Sequence, residues 1–258
     1  VSTKADASPV TAGDAAAQEA IVHVLQNDAS AIPILSEEQA EIDYETRRAW
    51  PRLWMVDPLD GTKEFLKENG EFTTNVALVE NGVPVLGVVY APAVGTIYWG
   101  YRGVGAFRAT VHAEASDGDA PIRLREHGRL LPLMAASAGV DAHGDTGTGG
   151  TASAGRPFTV AASRSHLNRP TERYINWLAR SHGTPAWITA GSAVKLCLVA
   201  EGSADVYPRL GTTMEWDTAA GDAVVRAAGA EVVAYASGEP LQYNKPDLHN
   251  PWFIVRRV

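Results

Sequence analysis

The amino-acid sequence predicts a mixed fold of helices and strands, α/β or layered α+β, rather than a simple parallel sheet. Three observations predict it. Phe72 to Glu80 and Val83 to Tyr90 are strand-like runs joined by Asn81-Gly82, the favoured two-residue hairpin turn. Ala17, Ala20, Ile21, Val24 and Leu25 recur at helical spacing. Strand and helix patterns then alternate irregularly, with no internal repeat. At 258 residues the chain can form one large domain or two tightly packed smaller ones.

Taken in order, Thr11 followed by Asp14 reads as a helix start, a hydroxyl cap with an acid in the first turn. Ile32 to Leu35 is a short buried strand with Glu37 and Glu38 at its tip, and residues 39 to 52 form a charged surface loop or short helix. A further strand leads to Asp57, where Pro58 ends the ladder and leaves Asp60 in a loop just beyond. After the hairpin, Thr96 to Trp99 and Gly105 to Arg108 are strands. Residues 111 to 155 are rich in Ala, Gly, Asp and Thr and read as a variable insertion or connection. This divides the chain into an N-terminal α+β subdomain, residues 1 to 155, and a C-terminal α/β subdomain, residues 156 to 258. In the second part, Phe158 to Ala162 is a strand and Thr171 to Ser181 a helix, and Gly191-Ser192 opens another helix. Asp205 to Tyr207 is a strand ended by Pro208. Trp216-Asp217 starts a helix closed by Gly229, and Phe253 to Val255 is the last strand.

Composition narrows the function classes. A net charge of -8 argues against a nucleic-acid surface, and no apolar run approaches the roughly 20 residues of a membrane span. Cys197 is the only cysteine, which excludes an internal disulfide and fits a reducing cytoplasm. Its neighbours Leu196, Leu198 and Val199 make it a core residue, and the tryptophans read as packing residues. The chain does not open on an initiator Met and begins within polar sequence.

The chemistry centres on Asp57-Pro58-Leu59-Asp60-Gly61-Thr62. Two carboxylates brought together repel unless a cation lies between them, and hard divalent cations such as Mg²⁺ seek oxygen ligands of this kind. The bland alternative is a pair of turn-forming aspartates after a buried strand. Gly61 permits a tight bend into a short helix through Leu66, whose first N–H groups suit an anion.

Together with Glu37-Glu38 upstream and Trp216-Asp217-Thr218-Ala219-Ala220-Gly221 downstream, this motif resembles the inositol monophosphatase superfamily. Lys4 to Asp14, Leu35 to Glu38, Asp57 to Phe65 with Lys63, Asn69 to Phe72, Gly87 to Pro92 and Lys195 to Gly202 are similar to its bacterial 3'(2'),5'-bisphosphate nucleotidase branch. The resemblance covers most of the chain but not residues 111 to 155. Members of the family usually carry a further helix before the Lys4-Ala5-Asp6 segment, which this chain is expected to lack.

The resemblance implies a layered α/β/α/β/α sandwich of the sugar-phosphatase type and a lithium-sensitive phosphatase dependent on two or three Mg²⁺ ions. It places Glu37, Asp57, the Leu59 carbonyl, Asp60 and Asp217 as metal ligands, with Asp57 bridging. It places Thr62 against the attacking water, Asp14 as the residue that orients Thr62, and the Gly61 and Thr62 N–H groups against the phosphate. The catalytic set is then Asp14, Glu37, Asp57, Asp60 and Thr62. Substrate contacts fall on Gly61, Thr62, His166, Ser192, Lys195, Arg209 and Asp217, with Lys195 and Arg209 neutralising a second phosphate. Plainer readings stand beside these: Asp217 as a helix N-cap, Asp14 as a first-turn acid, His166 as a surface histidine, and Lys195 and Arg209 as ordinary exposed cations.

The implied reaction is removal of the 3'-phosphate of 3'-phosphoadenosine 5'-phosphate, giving AMP and phosphate in sulfate assimilation. An inositol or sugar monophosphatase with the same metal site is the nearest alternative, and a non-catalytic nucleotide-binding module the more distant one. The expected partner is a small nucleotide, not nucleic acid. A homodimer is compatible with this reading, as is a cytoplasmic enzyme, free or peripheral at the inner membrane.

Overall fold

The computed structural model describes residues 2–3, 9–29, 31–39, 42–111, 128–132, 156–162 and 168–258. In chain order, β1 (Ser2–Thr3) and β2 (Pro9–Val10) pair antiparallel ahead of α1 (Ala12–Ala29). β3 (Ile34–Ser36) runs into a 3₁₀ turn at Glu37–Gln39, then α2 (Tyr44–Arg47), β4 (Arg52–Asp60) and α3 (Thr62–Leu66). β5 (Thr73–Glu80), β6 (Val83–Ala91), β7 (Thr96–Tyr101), β8 (Gly105–Thr110) and β9 (Arg129–Leu130) follow. The later half comprises β10 (Thr159–Ala162), α4 (Arg169–His182), β11 (Ala186–Thr189), α5 (Val194–Ala200), β12 (Val206–Arg209), α6 (Glu215–Ala227), β13 (Ala230–Ala234) and β14 (Phe253–Arg257).

Strands β3 to β9 form a seven-stranded sheet in sequence order, and β11-β10-β12-β14-β13 form a five-stranded mixed sheet. The hairpin is as the sequence predicts: Asn81 and Gly82 both take positive φ, 50° and 77°, between β5 and β6. Helix α6 lies across β4 to β8 and also meets β13, while α5 meets α6, β10, β12 and β14. α1 packs on β4 and α4 on β12. The layers are therefore helix, sheet, helix pair, sheet, helix. Every residue from Met55 to Leu59 is buried, as a strand covered on both faces requires. The close approach of α6 depends on Gly87, where a Cβ would stand 2.2 Å from the Ala220 carbonyl oxygen. One buried cluster unites Leu35, Met55 and Val79 with Leu196, Val224, Tyr207 and Phe253, so both sheets share a core through α5 and α6. No helix among the described residues is long and apolar enough to cross a membrane.

Several local expectations change. Proline ends neither strand: β4 continues through Pro58 to Asp60, and β12 through Pro208 to Arg209. Pro58 sits in a bulge, where a ladder donor is not required. Beside Pro208, the pairing of β12 with β10 is a single residue pair, Val160 with Val206. α1 buries Thr11, Asp14 and Gln18 rather than the apolar face, and Val24 is 54% exposed. Its inner side faces polar partners, Thr62 and Ser36. The charged stretch does form a short helix, α2, but Arg47 at its end is buried rather than on the surface, donating to the carbonyls of Ile42, Lys245 and Pro246 and to Asn244 Oδ1. Within the stretch set apart as an insertion, Arg129–Leu130 pairs with β8 as the last strand of the larger sheet. Trp216 packs in the core as expected, Trp177 and Trp252 are about half exposed but pack against Tyr174 and Tyr235, Trp187 is about half exposed, and Cys197 is fully buried as expected.

Candidate active site and metal centre

The site begins with a fault in a strand. On a regular strand, residues three apart face opposite sides. Asp57 pairs with Asn75 and Asp60 with Thr73, so β4 takes three steps where β5 takes two. The one extra residue is a β-bulge, and it turns both carboxylates toward one side. The bulge is held internally: the Leu59 N–H donates to Asp57 Oδ1 at 3.0 Å, and Thr74 Oγ1 donates to the Pro58 carbonyl at 3.0 Å.

Other elements bring further acids. β3 runs parallel to β4 with Ser36 beside Val56, which places Glu37 one step on, next to Asp57. Asp217 comes from the first turn of α6. The helix begins at Glu215, three residues earlier than an Asp217 N-cap would set it, so Asp217 is its third residue, and Asp217 Oδ2 accepts the Met214 N–H at 2.9 Å. The turn is anchored by fully buried Glu215, which pairs with Lys245 and accepts the Asn244 N–H.

The charges respond to this crowding. Burial above all, then the charges of Asp60, Glu37 and Asp217, push the Asp57 carboxyl well above the usual carboxylate range. Asp217 is pushed up to about 8, by burial first and then by Asp60. Burial raises Asp60 as well, against the opposing pull of Lys195. Asp57 Oδ2 is buried with no hydrogen-bond donor. Repelling carboxylates and an orphaned acceptor oxygen are what a hard divalent cation satisfies. Among the described residues, side chains alone close no cluster of three or more His, Cys, Asp or Glu donors. Mg²⁺ does not require one, since it keeps several waters and takes oxygens from its substrate.

Beyond the bulge the chain turns into α3 at Gly61, whose φ is 93°. A Cβ there would meet Ser192 Oγ at 2.5 Å. The Ser192 hydroxyl lies between the Asp60 and Glu71 carbonyls, 2.8 and 3.0 Å away, and its single proton serves those carbonyls. Ser192 thus fastens the turn to the start of α5. Thr62 Oγ1 donates to Asp14 Oδ1 at 3.3 Å and also lies 3.3 Å from the Leu59 carbonyl. Asp14 Oδ2 is occupied by the Thr11 N–H and hydroxyl, at 2.7 and 2.6 Å. The helix-start reading of Thr11 and Asp14 and the contact with Thr62 therefore coexist in one carboxylate.

Across a cavity lined by Asp60, Glu71, Ser192, Tyr207, Thr213 and Asp217 stand Lys195 and Arg209. Lys195 is no ordinary exposed helix lysine: it is 4% exposed, its Nζ donates to the Ala190 and Ser192 carbonyls, and it lies over the Tyr207 ring. Burial pulls its pKa down to about 8, with Asp60 opposing. Arg209 donates to the Thr212 carbonyl, while its Nε is buried without a partner. The structure brings together Asp14, Glu37, Asp57, Leu59, Asp60, Gly61, Thr62, Ser192, Lys195, Arg209 and Asp217. His166 lies outside the described residues. Two residues missed by sequence reasoning touch the site: Thr73 Oγ1 and Asn75 Nδ2 both donate to Asp60 Oδ2. Their signal was two polar residues on the inward face of an otherwise alternating strand.

A sheet end carrying bulged carboxylates, closed by the first turn of a buried helix, defines the class. The chain belongs to the inositol monophosphatase family, whose model matches residues 1–252. It is 41% identical over 256 residues to the 3'(2'),5'-bisphosphate nucleotidases CysQ of Shigella flexneri and of Escherichia coli (strain K12), spanning 99% of this chain and 88% of each relative. An alignment of that extent runs through residues 111 to 155, which the sequence reading had left outside the resemblance. The crystal structure of CysQ from Bacteroides thetaiotaomicron, a bacterial member of the family, matches with a TM-score of 0.82 and 48% identity, over 98% of this chain and 86% of that one. Staphylococcal IMPase-II, at 19% identity and a TM-score of 0.66, covers 95% of this chain and 76% of its own and shares the fold.

Proposed function

We propose that this chain is a Mg²⁺-dependent 3'(2'),5'-bisphosphate nucleotidase that removes the 3'-phosphate of 3'-phosphoadenosine 5'-phosphate, giving AMP and phosphate. The observation that carries the reading is the pairing of the Asp57 and Asp60 carboxylates at the β4 bulge with two cations, the buried Lys195 and the partly buried Arg209, across one cavity. An inositol monophosphate carries a single phosphate and leaves such a cationic pair without a partner. The similarity to curated bisphosphate nucleotidases over nearly the whole chain supports the same choice.

In this reading Glu37, Asp57, the Leu59 carbonyl, Asp60 and Asp217 would hold the divalent ions, which would neutralise the phosphate and activate water for attack. Thr62 orients the attacking water: its hydroxyl proton is directed to Asp14 Oδ1, so its oxygen can take a proton from that water as its own passes to Asp14. The Gly61 and Thr62 N–H groups bind phosphate oxygens at the start of α3. Lys195 and Arg209 bind the second phosphate, the Arg209 Nε–H being a buried donor in want of an acceptor. We place the enzyme in a reducing cytoplasm, where a lone buried thiol such as Cys197 stays reduced.

The test is phosphate release from 3'-phosphoadenosine 5'-phosphate and from inositol 1-phosphate, side by side with Mg²⁺. A clear preference for the nucleotide is expected. Faster turnover of the inositol ester overturns the substrate assignment, and release unaffected by chelation overturns the metal.

A further inference from the structure

β5 alternates its burial strictly: Thr73, Asn75, Ala77 and Val79 face inward, and Thr74, Val76, Leu78 and Glu80 are only partly covered. The inward face is apolar at one end and polar at the end beside the bulge. Thr73 and Asn75 are both 0% exposed. Burying a hydroxyl and an amide costs free energy unless their hydrogen bonds are made, and apolar residues would pack this face at no such cost. Sheet pairing does not explain them, because the ladder uses backbone groups only.

Their hydrogen bonds converge on one atom. Thr73 Oγ1 and Asn75 Nδ2 each donate to Asp60 Oδ2, both at 3.4 Å. The bulge produces this convergence, since it sets Asp60 opposite Thr73 while Asp57 stays opposite Asn75. Two acceptors nearby remain unsatisfied: Asn75 Oδ1 and Asp57 Oδ2 are buried without partners, on residues directly across from each other. Such facing side chains start about 5 Å apart, so the orphaned oxygens share one neighbourhood. A hydrated cation supplies what both lack.

We propose that Thr73 and Asn75 are positioning residues that hold the Asp60 carboxylate by Oδ2, keeping Oδ1 for the divalent ion and thereby setting Mg²⁺ affinity. This rests on the metal reading above. Outer partners of this kind are generally worth about 10- to 100-fold in metal affinity.

The experiment uses the whole chain, stripped with a chelator, and compares wild type with Asn75→Leu, Thr73→Val and Thr73→Ser. Mg²⁺ binding is followed by titration calorimetry, and thermal unfolding is recorded with and without Mg²⁺. Asn75→Leu and Thr73→Val should weaken Mg²⁺ binding by roughly 10- to 100-fold. Their unfolding temperatures should fall less without metal than with saturating Mg²⁺, because the donors removed serve chiefly the charged, metal-holding form of Asp60. Thr73→Ser keeps the hydroxyl and should keep the affinity. Thr73→Val is nearly isosteric and decides the matter even where Asn75→Leu folds poorly. Wild-type affinity in both Asn75→Leu and Thr73→Val, or an equal loss of unfolding temperature with and without metal, overturns the positioning role and leaves the metal reading standing. Absence of Mg²⁺ binding in wild type overturns both.

Discussion

Thr62 donates its hydroxyl proton to Asp14 across 3.3 Å, joining the first residue of α3 to the first turn of α1, 48 residues away in sequence. Asp14 is itself locked by Thr11, so the Thr62 hydroxyl is oriented by a carboxylate that has little freedom to turn. Thr62→Val should lower kcat by roughly 10²- to 10⁴-fold, the usual range for losing a positioned proton acceptor. KM and Mg²⁺ affinity should change far less. A variant whose loss lies wholly in KM would remove Thr62 from the chemistry and leave it a substrate contact.

Asp57→Asn should abolish most turnover, by more than the about 100-fold typical of outer-shell partners. Unlike most core changes, it should leave the metal-free protein as stable as wild type or more so, since Asp57 is raised by burial and by three neighbouring acids. Phosphate release and unfolding in chelator measure the two effects. Near-normal turnover would refute a ligand role for Asp57.

The same crowding predicts a pH dependence that Mg²⁺ removes. Asp57, Asp60 and Asp217 have folded-state pKa values above their unfolded values, with Asp217 at about 8. The folded chain therefore binds more protons than the unfolded chain, and stability falls as pH rises through the window ending near 8. Metal-free protein should unfold at progressively lower temperature from pH 5 to about 8.5, and saturating Mg²⁺ should flatten that slope. Parallel pH slopes with and without Mg²⁺ would mean the ion does not sit among these acids.

Lys195 should tune substrate binding through its charge. With a pKa of about 8 it is protonated below that pH and neutral above it, so KM for the bisphosphate should rise as pH passes upward through 8. Lys195→Ala should raise that KM by roughly 10- to 100-fold at pH 7, the equivalent of one charge-assisted hydrogen bond. A nucleoside monophosphate should be affected much less. Equal effects on both substrates would place Lys195 away from the second phosphate.

Gly61→Ala tests the turn. The new methyl group would enter a left-handed backbone position and meet Ser192 Oγ. The expected cost is about 1–3 kcal/mol in unfolding free energy, with a loss of activity beyond the loss of folded protein. An unchanged denaturation midpoint would show that the turn can relax.

Much of this was readable before any coordinates. The Asn81-Gly82 hairpin depends on two adjacent residues that tolerate positive φ, and the start of α1 on Thr11 and Asp14 three positions apart. Both are local, so local sequence carries them. The motif from Asp57 to Thr62, with Glu37 and Asp217, likewise named the acids, because a metal site needs particular side chains whatever holds them. The faces of α1 were misread because hydrophobic spacing cannot show that a helix is covered by polar partners such as Ser36 and Thr62. Arg47 looked like a surface cation because the carbonyls it satisfies lie near residue 245.

By itself, then, the sequence determined the inventory: which carboxylates, which hydroxyl and which cations the chain has to offer, and the hairpin and caps that start its elements. Only the tertiary structure decided how they meet. Asp57 and Asp60 face one way because β4 carries one more residue than β5 between the same two pairings, and register is a property of two strands together. Asp60 is held by Thr73 and Asn75 for the same reason. Burial of Lys195 and of the acids, and with it their shifted pKa values, arises when α5 and α6 close between the two sheets, a desolvation that no single segment can produce.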